Sequence, residues 1–193
     1  METTEEKTWF QKNLANFVTI CRIALTTVVL WHVIYQRDLI WVILGVGLIA
    51  AVTDGLDGFI ARKKNIVSGF GKAADRFADK YLQFTMYAFI ILDARIAYDL
   101  KVVAWILVII EIGISATWIL ALFNDKDISA GKWGKRKMIA VCIGVLACPA
   151  VIVAEELGAR ISFCTTPIIF FILVSSAIFG IMSFWRHCQG LVK

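Results

Sequence analysis

The sequence predicts an all-α integral membrane protein with six transmembrane helices and an amphipathic N-terminal helix. The 193-residue chain is 60% apolar and 18% charged, and its mean hydropathy is +0.77. Soluble domains average about 45–50% apolar and about 25% charged residues. The apolar runs are continuous and too long for strands, and no alternating pattern competes with them. Because the chain holds two prolines and no low-complexity linker, we expect residues 1–193 to form a single domain.

Six apolar segments approach the roughly 20 residues that a helix needs to cross about 30 Å of hydrocarbon. The third is polar in its first half and the fifth is short, but no strand-like alternation competes with a helix in either. The predicted spans are Phe17–Tyr35, Leu39–Ala61, Gly71–Leu92, Val102–Phe123, Met138–Val153 and Phe163–Phe184. The five cysteines show no CxxC spacing and lie mostly inside these runs. We therefore expect buried thiols that behave as small apolar side chains.

Basic residues predict the orientation of these spans. Fifteen of the 20 lysines and arginines fall at the two termini and in the second and fourth connections. The other side of the membrane would hold only Arg37, Arg95, Lys101 and Arg160, and Arg22 would lie inside the first span. The positive-inside rule then places both termini and the second connection in the cytoplasm. The net charge of +5 is explained by contact with anionic lipids or phosphorylated substrates, so no nucleic acid partner is expected.

Four aspartates stand where the second and third spans meet the cytoplasm. Asp54 and Asp57 are three residues apart, and Asp75 and Asp79 are four apart, so each pair shares a helix face. The connection between the pairs is short, which brings both to one membrane depth. Four carboxylates in one place repel one another unless cations lie between them, and oxygen ligands favour magnesium, manganese or calcium over zinc. The alternative is a structural network of ion pairs with Arg62, Arg76 and Lys80.

The spacing of these residues resembles the signature of the CDP-alcohol phosphatidyltransferase family. That signature is Asp-x2-Asp-Gly-x2-Ala-Arg, then eight residues, then Gly-x3-Asp-x3-Asp. All eight fixed positions are present, as Asp54, Asp57, Gly58, Ala61, Arg62, Gly71, Asp75 and Asp79. The segments NLANFVTICRIAL (13–25) and SAGKWGKRKM (129–138) resemble the bacterial phosphatidylglycerophosphate synthase branch of the family. The resemblance therefore extends over most of the chain.

The resemblance implies a role for each of these positions. It implies a metal-dependent phospholipid-synthesis enzyme in which two divalent cations, Mg²⁺ or Mn²⁺, bind Asp54, Asp57 and Asp75, with Asp79 as a further ligand or as the general base. The CDP moiety of CDP-diacylglycerol would be bound by Asp54, Gly58, Ala61, Arg62 and Gly71. An acceptor alcohol would give its proton to Asp79 and attack the phosphate that carries diacylglycerol, and CMP would leave. A homodimer in the membrane is expected by the same analogy.

The acceptor alcohol is less well defined than the donor. A basic run opens the fifth span and suits a phosphorylated acceptor, with Lys132, Lys135 and Lys137 as its candidate ligands. The resemblance favours glycerol 3-phosphate. However, Ile110-Glu111 stands where relatives that use glycerol 3-phosphate carry Arg-Glu, and Met138 and Arg76 also depart from the family pattern. Phosphatidylglycerol (as in a cardiolipin synthase), inositol phosphate and a small alcohol therefore stay open as alternatives.

Glu111 is a further carboxylate in the middle of the fourth span, where an ionisable residue indicates a functional role by default. A hydrogen bond to Thr117 or Arg22 is the competing interpretation. A different class of function, a small ion transporter, would distribute its acids through the membrane depth and often over inverted repeats. The acids here gather at one level, and no internal repeat is visible. An assembly subunit would leave the eight-position match unexplained.

Overall fold

The structure, a computed structural model, describes residues 4–35, 40–50, 69–123 and 132–192. Within these four segments every long element is a helix and no strand occurs. The helices are α1 (Thr4–Tyr35), α2 (described over Ile40–Ala50), α3 (Gly69–Leu92), α4 (Tyr98–Phe123), α5 (Lys132–Glu156) and α6 (Ser162–Val192). The predicted all-α fold is confirmed.

Three of the described helices are long and apolar enough to cross a membrane. Their apolar stretches are Tyr98–Ala121, Trp133–Glu156 and Ser162–Gln189, and two shorter ones cover Thr19–Tyr35 and Ile40–Ala50. Large apolar side chains such as Trp105, Phe163 and Phe171 point outward on them and are exposed, as expected where lipid rather than water surrounds the helices. The chain is a membrane protein by these criteria. Six spans and their orientation stay predictions, because residues 51–68 lie outside the described segments.

Helix α1 joins the predicted amphipathic segment to the predicted first span. It runs for 32 residues without interruption, so the lead-in and the span form one helix rather than two. The first unit of the chain, residues 1–88, contains α1, α2 and most of α3. Its buried apolar side chains include Val29 and Val33 of α1, Ile40 and Ile43 of α2, and Ala78 of α3.

The second unit, residues 89–193, is built from α4, α5 and α6, and α6 packs against both of the others. Glycines allow this close packing. A Cβ added at Gly113 would lie 3.2 Å from the ring of Phe184, and one added at Gly180 would lie 2.8 Å from Ile110 Cγ2. Small residues at such positions let membrane helices approach closely, since lipid-exposed apolar surface supplies no hydrophobic drive for their association.

Gly144→Ala is expected to destabilise the second unit. A Cβ at this position would lie 2.6 Å from Leu173 Cδ2 and 3.0 Å from its Cγ, and Leu173 is fully buried and has no room to retreat. We expect a loss of about 1–3 kcal/mol in the free energy of unfolding. Gly45→Ala is the matched control, because no atom of the described residues lies within 4 Å of that added Cβ. It should be neutral or stabilising by up to about 1 kcal/mol. Thermal unfolding in one detergent compares the two, and equal melting temperatures would refute the steric argument.

Specific contacts stabilise the two described connections of the second unit, those between α3 and α4 and between α5 and α6. Helix α5 ends in a Schellman motif in which Gly158 (φ 91°) and Ala159 donate to Glu155 O and Ala154 O. Arg95, between α3 and α4, ion-pairs with Asp93 at 2.7 Å and with Glu156 at 3.0 Å. The hydrogen bond with Asp93 raises the pKa of Arg95 above its ordinary value. The stability that this pair adds is fully present below the ordinary pKa of arginine and is lost as the pH rises through the raised pKa, so mildly alkaline buffers should leave the pair intact.

Candidate active site

Most of the predicted acidic site lies outside the described residues. Asp54, Asp57, Gly58, Ala61 and Arg62 fall within residues 51–68, of which no structure is described. Gly71, Asp75 and Asp79 lie on α3, as predicted for the third helix. Their backbones are helical, and only the side chain of Asp79 is described. Asp75 and Asp79 therefore share one helix face by register, while the gathering of four carboxylates around a metal stays a prediction.

The side chain of Asp79 is held by an arginine from another helix. Arg22 Nη1 of α1 lies 2.7 Å from Asp79 Oδ1. The Arg22 side chain is only 3% exposed, whereas that of Asp79 is 28% exposed. An arginine inside an apolar span needs a partner, because an isolated charge there is costly. Asp79 supplies that partner and keeps a solvent-accessible portion, so the carboxylate is both oriented and reachable.

This pairing differs from those that the sequence suggests. The sequence offers Arg22 as a partner of Glu111, and the ion-pair alternative for the aspartates names Arg62, Arg76 and Lys80. Neither includes the contact between Arg22 and Asp79. The signal was available in the sequence as a charged residue within an apolar span, which predicts that a partner exists. The partner could not be named because it lies 57 residues away on another helix.

Further contacts lie across and on either side of the boundary between α1 and α3. The hydroxyl groups of Thr27 and Tyr81 lie 3.2 Å apart across the two helices. The Tyr81 ring stacks on Phe77 at a centroid distance of 6.2 Å. On α1, the buried Thr26 hydroxyl donates to the carbonyl oxygen of Arg22 at 2.7 Å. The contacts of Arg22 with Asp79 and of Thr27 with Tyr81 both join α1 to α3, and the first of them involves a predicted site residue.

The three predicted acceptor lysines occupy different environments at the start of α5. Lys132 is the first residue of the helix, and its side chain is not among those described. Lys135 is exposed. Lys137 is buried, and its Nζ lies 2.5 Å from Glu111 Oε1 of α4. Residues two apart on a helix do not share a face, which explains how Lys135 and Lys137 diverge although the family spacing treats them alike.

Glu111 is therefore the partner of Lys137. The Glu111 side chain is 0% exposed and that of Lys137 is 4% exposed. The Thr117 hydroxyl, which the sequence offers as a partner of Glu111, donates to the carbonyl oxygen of Ile114 at 2.8 Å. Gly180 of α6 lies beside the pair, where an added Cβ would be 3.4 Å from Lys137 Cδ. Because a bulkier residue would crowd this stem, the buried pair depends on all three helices of the second unit.

An aromatic contact anchors the same end of α5. The guanidinium carbon of Arg136 lies 5.0 Å from the centroid of the Trp133 ring, within the range of a cation–π interaction. Trp133 also contacts Phe179 of α6 at a centroid distance of 5.8 Å. The basic run that opens α5 thus includes one charge on an aromatic ring, one buried charge paired with Glu111 and one exposed charge at Lys135.

Comparison with known proteins identifies the family. A family model described as CDP-alcohol phosphatidyltransferase matches residues 12–182. The chain belongs to this family. It is therefore an enzyme of the phosphatidyltransferase class, as the eight-position signature predicted, and the ion-transporter alternative is not supported. The match runs through residues of both compact units and includes the whole segment from Asp54 to Asp79.

Several similar proteins carry one name, CDP-diacylglycerol–glycerol-3-phosphate 3-phosphatidyltransferase. The protein of this name from Bacillus subtilis is 33% identical over 153 residues, which cover 70% of this chain and 75% of that protein. The one from Mycoplasma pneumoniae is 33% identical over 161 residues, 72% of this chain and 68% of that protein. A shorter match to the Rickettsia bellii protein is 44% identical over 73 residues, 37% and 40% of the two chains. The resemblance to the bacterial phosphatidylglycerophosphate synthase branch is confirmed.

Proposed function

We propose that this enzyme transfers the phosphatidyl group of CDP-diacylglycerol to glycerol 3-phosphate, which gives phosphatidylglycerophosphate and CMP. The observation that carries the proposal is the 33% identity to the Bacillus subtilis enzyme, whose name states both substrates, over 70% of this chain. The basic start of α5 agrees with a phosphorylated acceptor, because an exposed ammonium such as that of Lys135 attracts a phosphate from solution.

The proposed reaction forms one bond to phosphorus and breaks another. The acceptor's hydroxyl oxygen attacks the phosphorus that carries diacylglycerol, and the bond from that phosphorus to the oxygen of CMP breaks. The hydroxyl proton passes to the carboxylate of Asp79, which is partly exposed and held by Arg22 at 2.7 Å. A carboxylate is a weak base at neutral pH, so the proton leaves late, when the new oxygen–phosphorus bond has made the hydroxyl acidic.

The site's carboxylates suit hard divalent cations. Asp54, Asp57 and Asp75 would hold two Mg²⁺ or Mn²⁺ ions, which when bound offset the charge of the pyrophosphate and of the departing CMP. Arg22 donates to Oδ1 of Asp79, and we propose this carboxylate as the base rather than as a metal ligand. Gly58, Ala61, Arg62 and Gly71 would line the nucleotide pocket, where small side chains let CDP approach the helix backbone.

The acceptor's phosphate is proposed to meet the basic start of α5. Lys132, Lys135 and Lys137 are its candidate ligands. Lys135 is exposed and Lys137 is paired with Glu111, so we assign the first electrostatic attraction to Lys135. Ile110 stands where relatives that use glycerol 3-phosphate commonly carry an arginine, and we propose that these lysines supply positive charge for the acceptor's phosphate in its place.

The proposed topology has six spans, both termini in the cytoplasm and the active site facing the cytoplasm. It is supported by the apolar length of α4, α5 and α6 and by the excess of basic residues on one predicted side. A homodimer is proposed by family analogy. Cysteine labelling from either side of a sealed vesicle tests the orientation, with labels near both termini expected on the same face.

A panel of radiolabelled acceptors tests the proposed function. The purified protein is mixed with CDP-diacylglycerol, Mg²⁺ or Mn²⁺ and one of glycerol 3-phosphate, phosphatidylglycerol, inositol phosphate or glycerol. We expect label from glycerol 3-phosphate to enter the lipid fraction, with CMP released, at a rate at least about tenfold above any other acceptor. A tenfold preference corresponds to about 1.4 kcal/mol of differential transition-state binding. Preferential use of another member of the panel would replace the acceptor, and no transfer to any acceptor by folded protein would contradict the reaction.

A further inference from the structure

The ion pair between Arg22 and Asp79 does more than neutralise a buried arginine. Arg22 is buried on α1 and reaches across to α3, where it meets the one described carboxylate of the signature. The exposure of the two side chains is unequal, 3% against 28%. Arg22 needs a partner because an enclosed charge is costly, whereas Asp79 is partly solvated and does not depend on the pair in the same way. Here the arginine is enclosed and the carboxylate remains accessible.

The chemistry of the guanidinium suits the task of orienting a carboxylate. It is planar, stays charged, and presents its donors in fixed directions. A bond of 2.7 Å from Nη1 to Oδ1 fixes the rotation of the Asp79 carboxylate about its side-chain bonds. Burial of the Arg22 side chain restricts its own movement. Catalysis by a general base depends on this alignment, and a displacement of about 1 Å lowers rates by roughly a hundredfold.

We propose that Arg22 is a positioning residue that holds Asp79 in the orientation required to accept the proton of the acceptor alcohol. The proposal rests on the proposed role of Asp79 as the base, and it adds a residue on α1 to a site so far drawn from the signature residues between Asp54 and Asp79. Arg22 acts through Asp79 and touches neither the alcohol nor CDP-diacylglycerol. Its loss therefore affects turnover rather than the binding of either substrate.

Three variants test this role by separating kcat from KM. In Arg22→Gln the carboxylate loses its charged partner, and we expect kcat to fall by about ten- to a hundredfold while KM for both substrates changes by less than about threefold. Arg22→Lys keeps the charge but replaces the planar fork by a point charge, so its kcat should lie between those of Arg22→Gln and the wild type. Activity is expressed per folded protein, measured by size-exclusion chromatography and thermal unfolding.

Tyr81→Phe is the matched control. It removes a second polar contact between α1 and α3, that with Thr27, and leaves Arg22 and Asp79 unchanged. If the ion pair only fastened the helices together, Tyr81→Phe would lower kcat as Arg22→Gln does. We expect it to keep the wild-type kcat. Wild-type kcat in either Arg22 variant, an effect confined to KM, or equal losses in Arg22→Gln and Tyr81→Phe would each overturn the proposal.

The outcome is distinguishable from a failure of the proposed function. The wild-type enzyme with the acceptor panel decides which alcohol is used, and the Arg22 variants are then measured with that alcohol. If Arg22→Gln does not fold, Arg22→Lys alone decides the question: a lowered kcat at unchanged KM and unchanged melting temperature supports the positioning role, and a wild-type kcat refutes it.

Discussion

Asp79→Asn is expected to lower kcat by about a thousandfold, the central value for loss of a positioned general base. The amide has nearly the shape of the carboxylate and keeps an oxygen that can accept a hydrogen bond from Arg22. The ion pair at 2.7 Å is therefore replaced by a hydrogen bond to a neutral group. The amide cannot take the proton of the acceptor alcohol. Binding of CDP should be weakened less than in Asp57→Asn, because Asp57 is a proposed metal ligand and Asp79 is proposed as the base.

Initial rates of CMP release and the affinity for CDP, measured by calorimetry in detergent, check this prediction. Asp99→Asn is the control, because Asp99 is an exposed carboxylate in the first turn of α4 and is not part of the proposed site. It should retain wild-type turnover. An Asp79→Asn variant as active as the wild type would contradict the assignment of the base, and an equal loss of CDP affinity in Asp79→Asn and Asp57→Asn would assign both residues to metal binding.

Breaking the buried pair between Lys137 and Glu111 is expected to have the largest effect on stability. Both side chains are almost fully enclosed, with exposures of 4% and 0%. Lys137→Met leaves a carboxylate buried without its cation, and Glu111→Leu leaves an ammonium group without its anion. Each should lower the free energy of unfolding by about 3–5 kcal/mol, as measured for other buried pairs. The double variant removes both charges and should recover most of this loss.

Chemical denaturation in mixed micelles measures these differences. Glu156→Gln is the matched control, because it removes the half-exposed ion pair with Arg95, in which the two side chains are 41% and 39% exposed. Solvent screens such a pair, and its loss should cost less than about 1 kcal/mol. Equal costs for Lys137→Met and Glu156→Gln would show that the buried pair does not carry the stability assigned to it. If Lys137 also binds the acceptor, KM for glycerol 3-phosphate should be higher in the double variant than in the wild type.

The helices and the family were predictable from the sequence for different reasons. Helices α4 and α6 follow from long apolar runs, in which no alternation competes with the helical pattern. The family follows from eight residues at fixed spacing between Asp54 and Asp79. The start of α1 at Thr4 was predicted as a separate amphipathic segment, because hydropathy alone detects the apolar part that begins near Phe17 and not the continuation of the backbone.

The pairings inside the helices were not predictable from periodicity. Arg22 and Glu111 are each recognisable in the sequence as charged residues within apolar spans, and such charges require partners. Which partner each takes depends on how the helices pack, over separations of 57 and 26 residues. Lys135 and Lys137 illustrate the same point. Both belong to one spacing motif, but they lie on different faces of the helix, so that Lys135 is exposed and Lys137 pairs with Glu111.

The most direct test of the central claim is the stoichiometry of the reaction in vesicles that contain the protein and CDP-diacylglycerol. Labelled glycerol 3-phosphate and Mg²⁺ are added, and both CMP and labelled lipid are counted, with a parallel sample in EDTA. We expect one CMP for each labelled phosphatidylglycerophosphate and neither product in EDTA, because the proposed chemistry needs its divalent cations. CMP released without label in lipid would mean that water is the acceptor, and that result would contradict the proposed transfer to glycerol 3-phosphate.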